Sequence, residues 1–213
     1  FSDDRTEHGA ALVAQFPPAD VINLHWIAQF VDYRGFFGTV PARTPVVWTL
    51  HDMSPFTGGC HYDWGCGKFS GQCSACPALG SDRPDDLARD IWRRKRDAFA
   101  RVPEGRLHIV APSRWLAAEA GRSALLGRFP IAVIPNGIDT RRFDELAGAN
   151  LSAFRLRYAA PDQKIVFHVG RIVAEKGLGV LMQAAPIVLG GLPRTKFVIA
   201  GTGGYLESAR NRA

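Results

Sequence analysis

Short apolar runs of strand length recur along this chain, and each gives way to a stretch with helical spacing. The runs ADVINLHWI, TPVVWTLHD, RLHIVAPSRW and FPIAVIPNGID fall in that order in the first two thirds of the 213 residues. Alternation of this kind predicts β-α units feeding a parallel sheet, because strands covered on both faces read as continuous apolar runs. A hydrophobic content of 46% is ample for a packed core. None of the apolar stretches reaches the length of a membrane span. The opening FSDDRTEHGA lacks the basic start and apolar core of a secretory signal, which predicts a cytoplasmic protein.

The pattern restarts after a break. A helical stretch, ANLSAFRLRY, leads through a turn at Ala160-Pro161-Asp162 to a strand, KIVFHVG. A helix, EKGLGVLMQAAPIVLGG, and a strand, TKFVIAG, follow. Two domains are therefore expected: 1–140, a linker at 141–151, and 152–213. Pro186 inside the apolar pattern of the second helix predicts a kink or an early end there. Net charge is +6, with a cluster at Arg89, Arg93, Arg94, Lys95, Arg96, Arg101 and Arg106. Pro84, Leu87, Ile91, Trp92 and Phe99 lie among them at helical spacing, which places the cations on the wet face of an amphipathic helix. No aromatic-interleaved signature accompanies them, so nucleic acid is not expected as a partner.

Polar residues close the apolar runs. His25, His51, Ser113 and Asn136 sit where the carboxyl ends of parallel strands build ligand sites. In the second block a strand ends at Gly170, Arg171 follows, and Lys176-Gly177 stands at a helix start. A glycine admits close approach, a helix N-terminus attracts anions, and the two cations can grip one diphosphate. The segment is not a Walker loop, since G-x-x-x-x-G-K-[ST] is absent. Gly201, Thr202 and Gly203 form a second strand-to-helix turn, readable as a glycine loop or as a structural turn. All four cysteines fall in GGCHYDWGCGKFSGQCSACP as Cys60, Cys66, Cys73 and Cys76. That clustering fits a structural tetrathiolate zinc site, with His51 and His61 as spare ligands. Two disulfides and free thiols are the alternatives.

GRIVAEKGLGVLMQAAPIVL and FVIAGTGGYLES resemble the donor-binding half of the family 4 retaining glycosyltransferases. IPNGIDTRRF resembles the segment leading from their first domain to the second, APSRW a strand end upstream of it, and TLHD the strand whose His approaches the donor sugar. The matches keep family order from Thr49 to Ser208. The resemblance implies two Rossmann-like domains (GT-B architecture), both incomplete here. It also implies transfer of a sugar from a nucleoside-diphosphate sugar to a saccharide or lipid-linked hydroxyl, with no cofactor required for catalysis. Gly170, Arg171 and Lys176 would bind the donor diphosphate with Gly201 and Gly203, and His51 would act near the anomeric centre. The family's early glycine-rich loop and late E-x7-E segment are absent, so an interior piece without activity of its own is expected. The arginine helix would let such an enzyme visit the inner face of an anionic membrane. HDMSPFTGGCHY and the cysteines that follow resemble a loop in a subset of bacterial polysaccharide-assembly transferases. Other readings are a zinc-stabilised binding module and a sugar-nucleotide epimerase of the same architecture.

Overall fold

Each apolar run of the first block folds as a strand: β1 Ile22–Leu24, β2 Val46–Thr49, β3 Leu107–Ala111 and β4 Ile131–Val133. The structure is a computed structural model that describes residues 1–147 and 151–204. It is α/β with parallel sheets, and it divides into two units, Phe1–Ile138 and Asp139–Ala213. The four strands of the first unit pair in chain order, all parallel, with Trp48 opposite both Leu24 and Ile109. The crossovers carry the helices α2 (Tyr33–Thr39), α3 (Leu87–Phe99) and α4 (Arg114–Arg122), and α1 (Ala10–Val13) precedes β1. Each crossover helix has the start its sequence encodes. Asp32, Asp86 and Ser113 are N-caps whose side chains accept from the backbone amides of Gly35, Arg89 and Leu116.

Burial is one-sided where the continuous apolar runs suggested two covered faces. In β3, Leu107, Ile109 and Ala111 are buried while His108 is exposed. The core lies on the face where Tyr33, Phe37, Trp48 and Phe129 surround Phe99, with ring centroids 5.6 to 6.2 Å from it. Edge-on contacts of this kind combine large apolar area with favourable ring quadrupole geometry.

The cation cluster divides. Arg93, Arg96 and Arg101 are exposed as expected, but Leu87 is exposed too, and the buried stripe of α3 is Ala88, Ile91, Trp92, Lys95, Ala98 and Phe99. Lys95 is therefore a core residue, not part of the wet face. Its stem packs in the stripe while Nζ donates to the carbonyls of Ser54 (2.5 Å) and Thr57 (3.2 Å). Arg106 is also buried, donating to the carbonyls of Val40 and Pro41. Arg94 is held by Asp4 at 2.6 Å and Asp3 at 2.8 Å, which fastens the first residues of the chain to α3.

The second unit holds α5 (Arg141–Ala147), α6 (Ser152–Leu156), α7 (Leu178–Gly191) and the parallel pair β5 (Lys164–Val169) and β6 (Thr195–Ala200). Most of the stretch expected as a linker is thus helix α5. Pro186 does not end α7, which runs on to Gly191. The ring forfeits one bond to the preceding turn without breaking the helix. Two strands are too few to bury both sheet faces, so Phe167 and Val169 are 61% and 70% exposed. The first residues of ANLSAFRLRY, 149–150, and the end of the family resemblance, YLES at 205–208, lie outside the described residues.

Asp86 does two jobs at the start of α3. One oxygen caps the helix at Arg89, and the other accepts from the buried amide of Cys76 at 2.7 Å. Replacement by alanine removes the cap and orphans that amide, at an expected cost of about 2–3 kcal/mol. Urea unfolding checks this, and a loss below about 0.5 kcal/mol would contradict it.

Candidate functional site

The carboxyl ends of β1 and β2 carry a chain of hydrogen-bonded side chains. Residues two apart on a strand share a face, so Asn23 and His25 point the same way, and His51 lies just past the end of the neighbouring strand β2. Asn23 Nδ2 lies 3.2 Å from His25 Nε2, and His25 Nδ1 lies 3.0 Å from His51 Nε2. The Thr49 hydroxyl donates to Asn23 Oδ1, which orients the amide. At an exposed strand end the row brings one amide and two imidazoles into a single hydrogen-bonded line. Trp48 Nε1 anchors it from the core by donating to the His25 carbonyl at 2.8 Å.

Beside this row is a second polar group. Asp52 accepts from Trp26 Nε1 at 3.0 Å and from the Ser54 amide at 2.7 Å, and its carboxylate lies 3.3 Å from His61 Nδ1. His61 Nε2 in turn meets the Ser2 hydroxyl at 2.8 Å. Burial lowers the His61 pKa against the opposing pull of Asp52. His61 Nε2 is engaged by Ser2 and His51 Nε2 by His25. Of the four polar strand ends, the structure joins His25 and His51. Ser113 is spent on capping α4, and Asn136 stands exposed after β4. Sequence reasoning passed over Asn23, Trp26 and Asp52. The alternation N-L-H and the H-D pair at 51–52 were the available signals.

The four cysteines are free thiols on the loop between β2 and α3, and all four line one small cavity of about 20 Å³ together with Thr57, Gly58, Lys68, Phe69 and Ala88. Cys73 and Cys76 are buried, Cys60 and Cys66 half-buried. Burial pushes the Cys73 thiol up to about 12 and raises Cys60. Burial also pushes the nearby Lys95 ammonium down to about 8. No three His, Cys, Asp or Glu side chains among the described residues already stand in ligating geometry.

In the second unit, Arg171 follows the Gly170 strand end, and Lys176 closes a 3-10 turn, Ala174–Lys176. Gly177, at φ +72°, is the N-cap of α7, a left-handed position that suits glycine. Arg171 and Lys176 are both exposed, and the Arg171 guanidinium lies 3.5 Å from Glu175. Gly201 and Gly203 have a plain packing role. A Cβ on Gly201 would run into the Gly170 carbonyl and one on Gly203 into the Ile172 carbonyl, while the Ile172 amide donates to Thr202 at 2.8 Å. The two strand-end loops pack backbone to backbone.

The family model described as Glycosyltransferase Family 4 matches residues 9–142. The chain belongs to glycosyltransferase family 4. The matched region of this family 4 chain spans β1 to β4, the histidine row and all four cysteines. Arg171 and Lys176 lie beyond it. Among curated relatives, the colanic acid biosynthesis glycosyl transferase WcaC of Escherichia coli is 30% identical over 125 residues, 58% of this chain and 30% of that protein. A GDP-mannose-dependent alpha-(1-6)-phosphatidylinositol monomannoside mannosyltransferase of Mycolicibacterium smegmatis is 35% identical over 80 residues, 38% of this chain and 21% of that protein. The family 4 chain therefore spans less than a third of either relative. No helix among its described residues is long and apolar enough to cross a membrane.

Proposed function

We propose that this chain serves a retaining glycosyltransferase that moves a sugar from a nucleoside-diphosphate sugar to a saccharide or lipid-linked hydroxyl in polysaccharide or glycolipid assembly. The observation that carries the reading is the hydrogen-bonded row Asn23–His25–His51, which lies within the residues that match the family and stands exposed at a strand end. In this reading His51 Nδ1 donates to a donor-sugar hydroxyl. Arg171 and Lys176 bind the diphosphate and balance the negative charge that grows on it as the glycosidic bond breaks, so the chemistry needs no catalytic divalent ion. Gly170, Gly201 and Gly203 keep the surrounding backbone close and low. Membrane contact through α3 is a weaker part of the reading, because Asp3, Asp4 and Asp97 draw charge from Arg94 and Arg96.

The name of the mycobacterial relative makes GDP the first nucleotide to test. Binding is the appropriate readout, since Arg171 and Lys176, the residues proposed to hold the diphosphate, belong to this chain. At a ligand concentration 100 times Kd, a specific site stabilises the fold by about 2.7 kcal/mol. Thermal unfolding with GDP, UDP and a random oligonucleotide separates the hypotheses. Stabilisation by one nucleoside diphosphate is expected. Salt-sensitive oligonucleotide binding with no response to either nucleotide would replace the transferase reading with a binding module.

A further inference from the structure

We propose that Cys60, Cys66, Cys73 and Cys76 bind one zinc ion as a tetrathiolate site that holds the loop between β2 and α3 in shape. Four thiols drawn from 17 residues converge on one cavity of about 20 Å³, close to the room that one water-sized object needs. Nothing else in the lining offers four soft ligands, and Zn²⁺ takes four thiolates in a tetrahedral shell.

The loop backbone is bent around these thiols. Trp64, Gly65 and Gly67 flank Cys66 with φ of +51°, +81° and +68°, and Ala75, between Cys73 and Cys76, has φ +44°. Left-handed conformations at a Trp and an Ala are costly, and they persist where surrounding bonds over-determine them. Asp63 supplies some of those bonds, accepting from the amides of Gly65 and Gly67. Lys68 supplies others by donating to the carbonyls of Ser74 (3.0 Å) and Ala75 (2.7 Å). These turns bring all four cysteines to the lining of one cavity. The Gly58 amide already donates to Cys73 Sγ at 3.2 Å, a contact that favours the thiolate.

Lys95 of α3 ties the same loop down beside the thiols, its ammonium donating to the carbonyls of Ser54 and of Thr57, which lines the cysteine cavity. Binding releases four protons to solvent and leaves Zn²⁺ with four thiolates at a net charge of −2. The thiols do not yet stand at ligating separation. Rotation about their Cα–Cβ bonds into a cavity this small is the adjustment required.

The test uses the whole chain purified without chelator. Elemental analysis is expected to find one zinc per chain. Native thiols should resist a thiol reagent until chelator is added, after which four become reactive. Cobalt exchanged for zinc should give the intense thiolate-to-metal absorption of a tetrahedral site. Cys66→Ser, at a half-buried position, should fold with unchanged far-ultraviolet circular dichroism but lose the stoichiometric zinc. Four reactive thiols without stoichiometric zinc would overturn the proposal in favour of free cysteines. No reactive thiols and no metal would overturn it in favour of two disulfides, and stoichiometric iron would overturn the zinc assignment.

Discussion

Alanine at Arg171 or at Lys176 is expected to weaken binding of a nucleoside diphosphate by roughly 10- to 100-fold each, while binding of the bare nucleoside changes little. A hydrogen bond to a charged group contributes about 1.5–3 kcal/mol, and each 1.4 kcal/mol is a factor of ten in affinity. Both side chains are exposed, and Arg171 has Glu175 at 3.5 Å as an ion-pair partner, so neither substitution removes a core contact. The effect should therefore appear in affinity and leave stability nearly unchanged. Arg171→Lys gives a sharper test, since lysine keeps the charge but loses the planar fork that grips two phosphate oxygens. Calorimetric titration with GDP and with guanosine reads all of this. Equal losses for diphosphate and nucleoside would remove these residues from the phosphate site.

Trp48→Ala should destabilise the first unit by about 3–5 kcal/mol, the usual range for deleting a large core aromatic. The side chain is 1% exposed and packs against Tyr33 (5.2 Å between centroids), Phe37 and Phe99. Its truncation leaves a void that the surrounding rings can only partly fill. It also removes the donor to the His25 carbonyl, so the histidine row loses its tie to the core. Urea unfolding monitored by the signal of the first unit gives the cost, and a value near 1 kcal/mol would mean that the aromatic cluster repacks. Trp48→Phe separates the two roles, restoring most of the packing without the indole N–H.

The strands were legible because they depend on local information. VVW, LHIVA and KIVFHV are β-branched and aromatic runs between turn signals, and such runs have few other ways to bury their side chains. The caps were not: Ser113 read as a strand-end ligand position, and its capping of Leu116 shows only in the folded chain. The glycines of the second unit were ambiguous. Only the close approach of the Gly170 and Gly201 backbones reveals a packing role there.

The amino-acid sequence alone determined the α/β class, the succession of strands and helices and the neighbourhood of the cysteines, because each depends on residues adjacent along the chain. Tertiary structure decided the rest. Lys95 sits at the centre of the stripe Ala88, Ile91, Trp92, Lys95, Ala98 and Phe99, and its charge argues for solvent until the carbonyls of Ser54 and Thr57 arrive from 41 and 38 residues away. His51 likewise reads as a lone strand-end histidine. Parallel pairing of β1 with β2 brings His25 from 26 residues upstream to within 3.0 Å. Burying a charge and orienting a ring both require partners distant in the chain, and pairwise contacts of that range are fixed only when the sheet and its crossovers have closed.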